Sequence, residues 1–336
     1  MSQPFENLPT TPRSSELIDK AFSRASRAGR AKSGFEAQTS MLQTASNILS
    51  DNLENVVTDW PDFDYLDPFY IDFADAVITG ETTIGTEDKR GVDALRQHLS
   101  KVTFASRKTG EIRSEYQTKM RNASDIDHAR KLRKQAFARL ADIVEQVEDD
   151  LMAVSTARDA LRDLPDIRPD EPTIVVAGYP NVGKSSFVNA TTRASNEINS
   201  YPFTTTEIHV GHVEHQHIRY QLVDTPGLLD RPAEERNDIE SQAVSALEHL
   251  GDCVLFVVDA SGECGYPVDV QLELRDALAE QFENAPVLTV CNKADRSRDV
   301  EADLYMSVTE DDNVQGVLEA AIDAIDYEPD LPSRGE

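Results

Sequence analysis

In the first half of the chain, apolar residues recur at three- and four-residue steps with charge between them. Leu132, Ala136, Leu140, Ile143, Val144, Val147 and Leu151 are the clearest run. That period places them on one face of a long helix. It predicts a second long helix over about residues 90–121, and shorter ones near 14–28, 36–57 and 67–78. Ser124 and Asp127 read as a capping box ahead of the 132–151 pattern. Such helices predict an antiparallel bundle.

The pattern changes at Pro165, Pro169 and Pro172. Proline resists helix continuation and pushes the preceding residue towards extended backbone. Beyond it, short apolar runs alternate with helical stretches: residues 173–178, 218–224, 253–259, 286–292 and 304–308. This alternation predicts a doubly wound, mostly parallel α/β sheet with ligands at the carboxyl ends of its strands. The expected division is a helical bundle domain over 1–164, a linker over 165–172 and an α/β domain over 173–336.

Charge adds a second asymmetry. The chain of 336 residues has a formal net charge of −28. Residues 1–170 hold 23 Lys and Arg against 29 Asp and Glu, whereas residues 171–336 hold 10 against 32. The acidic half reads either as a partner surface or, in preference, as adaptation to a very salty cytosol that screens self-repulsion. Three cysteines predict no disulfide framework. The first residues carry no basic-then-apolar leader, and no apolar run approaches the ~18 residues of a membrane span. A cytoplasmic protein with no membrane partner is expected.

The chemistry clusters at the ends of the apolar runs. Gly178-Tyr-Pro-Asn-Val-Gly-Lys-Ser185 follows the first run and precedes a helical stretch, the context of a Walker A loop. Backbone N–H groups around Gly178, Pro180, Asn181, Val182 and Gly183 would cradle phosphates. Lys184 would reach the β- and γ-phosphates, Ser185 would ligate Mg²⁺, and Ser186 continues the helix start. Asp224 ends the 218–224 run in Asp-Thr-Pro-Gly227. It would hold Mg²⁺ through water, while the Gly227 N–H senses the γ-phosphate. Between them, Tyr201-Pro-Phe-Thr-Thr-Thr206 offers a hydroxyl to complete the Mg²⁺ shell. Thr205 is favoured among the three threonines, and a strand lead-in is the alternative.

Asn292-Lys293-Ala294-Asp295 selects the base. An Asp carboxylate accepts both N1–H and N2–H of guanine. Adenine leaves it unpaired, a discrimination of roughly 10⁴–10⁵. Asn292 can tie this loop to the phosphate loop, and the Lys293 stem can lie along the purine. Ser307-Val308 reads either as a backbone donor to guanine O6 or as plain strand. The site therefore implies GTP/GDP and Mg²⁺.

For hydrolysis, the residues after the switch glycine are Leu228 and Leu229 rather than Gln. Slow unaided turnover is expected, on the order of 10⁻³ per second or below. Lys184, Asn181, Thr205 and Gly227 are the candidate hydrolytic residues, with Asn181 either recruiting K⁺ beside the phosphates or simply shaping the loop. His209, His212, His215 and His217 crowd one hairpin-like segment and are read as structural rather than zinc ligands. Trp60, Phe63, Tyr65, Phe69, Tyr70 and Phe73 are read as bundle core.

These motifs, with Val210-Gly-His212, the run from Tyr220 to Pro232, Ile239-Glu240, Leu66-Asp-Pro-Phe-Tyr70 and Leu132-Arg-Lys-Gln-Ala136, resemble the Obg group of P-loop GTPases. Within it the chain is similar to archaeal members of the nucleolar GTP-binding protein 1 (Nog) family. The resemblance implies a large-subunit ribosome assembly factor whose helical domain contacts ribosomal RNA or ribosomal proteins. No DNA partner is expected. Arg13, Lys20, Arg24, Arg27, Arg30 and Lys32, with Lys131, Arg133 and Lys134, are the RNA candidates, or else a solvated helix face. The rival reading is a regulatory GTPase with a protein effector and no RNA role.

Overall fold

The computed structural model describes residues 4–81, 91–162, 167–192, 197–200, 207–224, 226–325 and 327. Among the described residues, six helices precede the first strand: α1 (Ser14–Arg30), α2 (Gly34–Thr58), α3 (Pro68–Glu81), α4 (Gly91–Arg121), α5 (Ile126–Glu145) and α6 (Glu148–Arg162). The chain divides into two compact units. One contains Pro4–Asp64 and Thr82–Arg162; the other contains Tyr65–Glu81 and Asp163–Glu336.

The helical unit is built on α2 and α4. Leu42, Leu49 and Leu53 on α2 and Leu95 and Val102 on α4 are fully buried. Each such side chain contributes roughly 1.5–3 kcal/mol of transfer energy. The Ser46 hydroxyl crosses the interface to the Thr109 carbonyl at 2.9 Å, which satisfies both groups in a dry core. The expected single helix over 132–151 is two, broken at Gln146-Val147. The expected Ser124 cap is also displaced by one residue: Asp125 is the N-cap, and its carboxylate accepts the His128 N–H at 2.7 Å. Asp125 supplies a charged acceptor at the cap position itself, where the hydroxyl of Ser124 stands one residue too early.

Helix α3 departs from the expected bundle and belongs to the sheet unit. Phe73, Ala74, Ala76, Val77 and Ile78 are all buried, a face wider than half of the helix circumference. A surface helix of a bundle hides one stripe only. α3 packs on α8 (Asp238–Leu250), where Asp72 accepts from the Ser245 hydroxyl at 3.1 Å and lies 3.4 Å from His249. Of the aromatic group read as bundle core, Trp60 and Phe63 are buried in the helical unit and Phe69 and Phe73 in the sheet unit, while Tyr65 is 88% exposed.

Among the described residues the sheet unit has seven strands: β1 (Thr173–Ala177), β2 (Glu197–Ser200), β3 (Glu207–His215), β4 (Ile218–Asp224), β5 (Cys253–Asp259), β6 (Val287–Asn292) and β7 (Leu304–Tyr305). Their order is β2-β3-β4-β1-β5-β6-β7. β1 runs parallel to β4 and β5, and β6 and β7 continue the parallel set. β2 and β3 pair antiparallel at the other edge. The β3–β4 turn puts Gln216 and His217 at φ 50° and 67°, the handedness a two-residue hairpin needs. Between strands lie α7 (Lys184–Thr191), α8 and α9 (Val268–Gln281), and α10 (Val314–Ala324) follows β7. β1 and β5 are buried along their whole length, so their carboxyl ends are rigid mounts for the loops that follow. No helix among the described residues is long and apolar enough to cross a membrane.

Candidate nucleotide site

The turn from β1 into α7 has the backbone of a phosphate cradle. Gly178 and Gly183 take φ 133° and 107°. A β-carbon on Gly178 would stand 2.3 Å from the Val257 carbonyl oxygen, and one on Gly183 2.1 Å from the Asn292 side-chain nitrogen. Only glycine fits either place. Asn181 also lies in the left-handed region, at φ 64°, which Asn tolerates better than other residues with a β-carbon. Val182 is buried, Pro180 is half-buried, and Ser186 is exposed on the first turn of α7.

Lys184 is 5% exposed, and its ammonium donates to the carbonyls of Gly178 at 2.6 Å and Tyr179 at 3.0 Å. Burial pushes its pKa down, and the Asp224 and Asp230 carboxylates oppose that shift. The Ser185 hydroxyl donates to Asp224 Oδ2 at 2.5 Å. Asp224 closes β4 and is fully buried. Its Oδ1 has no hydrogen-bond partner among the described residues. A buried carboxylate oxygen left without a donor is costly. With the neighbouring hydroxyl it forms an all-oxygen donor set that fits a small, hard divalent cation such as Mg²⁺. Thr205, with the rest of the Tyr201–Thr206 segment, lies outside the described residues.

After β4 the chain turns at Gly227, φ 85°. The Gly227 N–H donates to Asp230 Oδ2 at 2.7 Å, and the Gly227 carbonyl accepts two bonds from the Arg231 guanidinium, at 2.7 and 3.1 Å. Arg231 also binds Glu240 at 2.8 Å, and Glu240 forms a reciprocal capping box with Asn237 at the start of α8. Leu228 and Leu229 are fully buried. Neither could orient a water.

At the base end, Asn292 does two jobs. Its Nδ2 donates to the Val182 carbonyl at 2.8 Å, joining this loop to the phosphate loop, and its Oδ1 accepts the Val308 N–H at 3.2 Å. The Ser307 N–H is given to the Asp312 carbonyl. Both amides expected as guanine donors thus have protein partners, and Ser307-Val308 braces the loop here. Lys293 takes φ 55° and its ammonium binds Asp259 at 2.6 Å. Asp295 is exposed, 3.7 Å from its neighbour Arg296, which is also paired with Glu263.

Asp259 is the residue the sequence reading passed over. Burial alone would raise its pKa, but bonds from Lys293 and Ser261 outweigh burial and hold it below the ordinary carboxylate range. Gln271, fully buried on α9, grips the Asp259 backbone at both N–H and carbonyl. The signal was available: an Asp closing the apolar run Cys253–Asp259 must find a cation or donors. The loop after it also places Tyr266 against Tyr179 of the phosphate loop, ring centroids 4.3 Å apart.

No group of three or more His, Cys, Asp or Glu among the described residues is arranged to hold a metal. His209 lies 3.6 Å from Asp224 and His217 lies 3.6 Å from Glu214.

Two protein families match this chain. The NOG1 N-terminal helical domain covers residues 5–168, and the family described as 50S ribosome-binding GTPase covers residues 173–293. An uncharacterized protein of Methanocaldococcus jannaschii is 36% identical over 88% of this chain and 81% of its own length. Nucleolar GTP-binding protein 1 of Drosophila melanogaster is 36% identical over 73% of this chain, and that of Caenorhabditis elegans 32% identical over 87%. The match spans only 36% and 42% of those two longer proteins. A strand-to-helix phosphate cradle, a base loop tied to it through Asn292, and these relatives lead to one conclusion: the chain is a GTPase and belongs to the nucleolar GTP-binding protein 1 (Nog) family, as an archaeal member.

Proposed function

We propose that this protein is a GTP-dependent assembly factor of the large ribosomal subunit, cycling between a GTP-bound docking state and a GDP-bound released state. The observation that carries the reading is the pairing of a Nog helical domain with a GTPase domain whose family is described as 50S ribosome-binding. Ser185 and Asp224, with Thr205, would hold Mg²⁺, which supplies charge neutralisation at the β- and γ-phosphates. Lys184 would leave its two carbonyls for the phosphates, and the Gly227 N–H would meet the γ-phosphate. Asp295 would read guanine. With Leu228 and Leu229 buried, intrinsic turnover would be slow and raised by the docked partner.

The RNA-facing surface is narrower than the basic run of the sequence. Lys32 pairs with Glu36, Arg13 with Glu148, and Lys20 binds Asn52. Arg133 binds Gln38 and lies over the Phe137 ring. Arg24, Arg27 and Arg30 on α1 and Lys131 and Lys134 on α5 are exposed, with no ion pair among the described residues. The stacked rings of Phe22 and Phe137, 4.5 Å apart, join the two helices. These five cations are the proposed phosphate contacts. We add K⁺ as a cofactor recruited by the exposed Asn181. Faster turnover in KCl than in NaCl of equal ionic strength is expected, and equal turnover would leave Asn181 a loop-shaping role only.

The test is sedimentation of the tagged full chain in native-salt lysate with a non-hydrolysable GTP analogue or with GDP. Co-migration with large-subunit precursors in the GTP-like state alone supports the reading. Remaining at the top of the gradient in both states rejects it in favour of a GTPase with a protein effector.

A further inference from the structure

The Gly227 N–H, the donor expected to meet the γ-phosphate, already holds an anion. Asp230, three residues on, places Oδ2 on it at 2.7 Å. The same carboxylate is near enough to Lys184 and to Tyr179 of the phosphate loop to act on both electrostatically. We propose that Asp230 is a built-in competitor for the γ-phosphate and sets the preference of the site between GTP and GDP. This rests on the reading of Gly227 as the γ-phosphate sensor.

A single N–H cannot serve two anions, and two anions at hydrogen-bond distance from one donor repel each other strongly where water is scarce. GDP has no γ-phosphate and leaves the Asp230–Gly227 bond in place. GTP must expel Asp230. The surroundings make expulsion a discrete event rather than a drift. Arg231, next in sequence, is fixed to the Gly227 carbonyl and to Glu240, and Glu240 is locked into the capping box of α8. Moving Asp230 off the amide therefore pulls on the Arg231–Glu240 pair and on the first turn of α8. The apparent affinity for GTP is lowered by the fraction of molecules in which Asp230 has released the amide, and the affinity for GDP is not. Asp230 is thus a specificity-determining residue and not a catalytic one.

The experiment measures Kd for GDP and for a non-hydrolysable GTP analogue, with Mg²⁺, on the wild-type chain and on Asp230→Ala and Asp230→Asn. If Asp230 holds the amide in nine molecules of ten, the alanine variant should bind the GTP analogue about tenfold tighter and GDP within twofold of wild type. The asparagine variant, which keeps the shape but not the charge, should fall between. GDP binding by each variant reports that the fold and site persist. Equal shifts for both nucleotides, no shift, or weaker binding of the GTP analogue alone would overturn the proposal. Failure of the wild type to bind either nucleotide would instead reject the nucleotide reading on which it rests.

Discussion

The two ends of the nucleotide site are built differently. At the base end, protein partners fix the loop in its working shape: Asn292 to Val182 and Val308, and Lys293 to Asp259. At the phosphate end, the groups expected to meet nucleotide have protein substitutes in hand. Lys184 holds two carbonyls, Ser185 holds Asp224 and Gly227 holds Asp230. A loop already in its bound shape avoids ordering cost and gives selectivity. A loop whose bonds must be exchanged responds to what binds. On the proposed function, one end would recognise and the other would switch.

The largest effect that would break this division is on base recognition. Asp295→Asn should weaken GDP by about 10³-fold or more, since only one of the guanine N1–H and N2–H keeps an acceptor and the other meets an amide donor. It should improve binding of xanthosine diphosphate, whose C2 carbonyl accepts from an amide. Unchanged preference in a competition assay would remove Asp295 from the site. Next, Gly183→Ala joins the two ends: its β-carbon meets the Asn292 side chain and its φ of 107° disfavours any side chain. It should cost about 1–3 kcal/mol in thermal unfolding and lose binding of GDP and GTP analogue alike.

Asp259→Asn should weaken both nucleotides by about tenfold, because Lys293 loses its charged anchor. A loss confined to the GTP analogue would show that this anchor serves the switching end. The smallest effect is that of pH. The Asp259 pKa is lowered in the fold. Its stabilising contribution is therefore complete above the ordinary carboxylate pKa and is lost only as pH falls through the lower, folded value. The stability difference between wild type and Asp259→Asn should stay constant from pH 8 to 5 and shrink only in stronger acid. Shrinkage near pH 6 would contradict the assignment.

Much of this was legible in the sequence because it is local. The phosphate loop, Asp224 and Asn292-Lys293-Ala294-Asp295 sit at strand ends that their own apolar runs announce, and the parallel strands read directly as buried runs. What was missed depends on partners distant in sequence. Helix α3 has an ordinary helical period, and nothing in that period says that its buried face meets α8 and not the bundle. β3 was legible only as a hairpin-like segment, because its alternating histidines form no apolar run that would place it among the strands of the sheet. The Glu197–Ser200 strand β2 is too short to stand out. The pairing of Lys293 with Asp259 links residues 34 apart. Only the sheet order brings them together. The Asp230–Gly227 bond is local, yet a DTPG turn gives no hint that the following carboxylate folds back.

The division between a recognising and a switching end is tested most directly by hydrogen exchange on the full chain, comparing the GDP-bound state with the state bound to a non-hydrolysable GTP analogue. The account predicts altered protection over 226–240, including Gly227 and the first turn of α8, and identical protection over 292–308. Equal change at both ends, or change confined to 292–308, would contradict it.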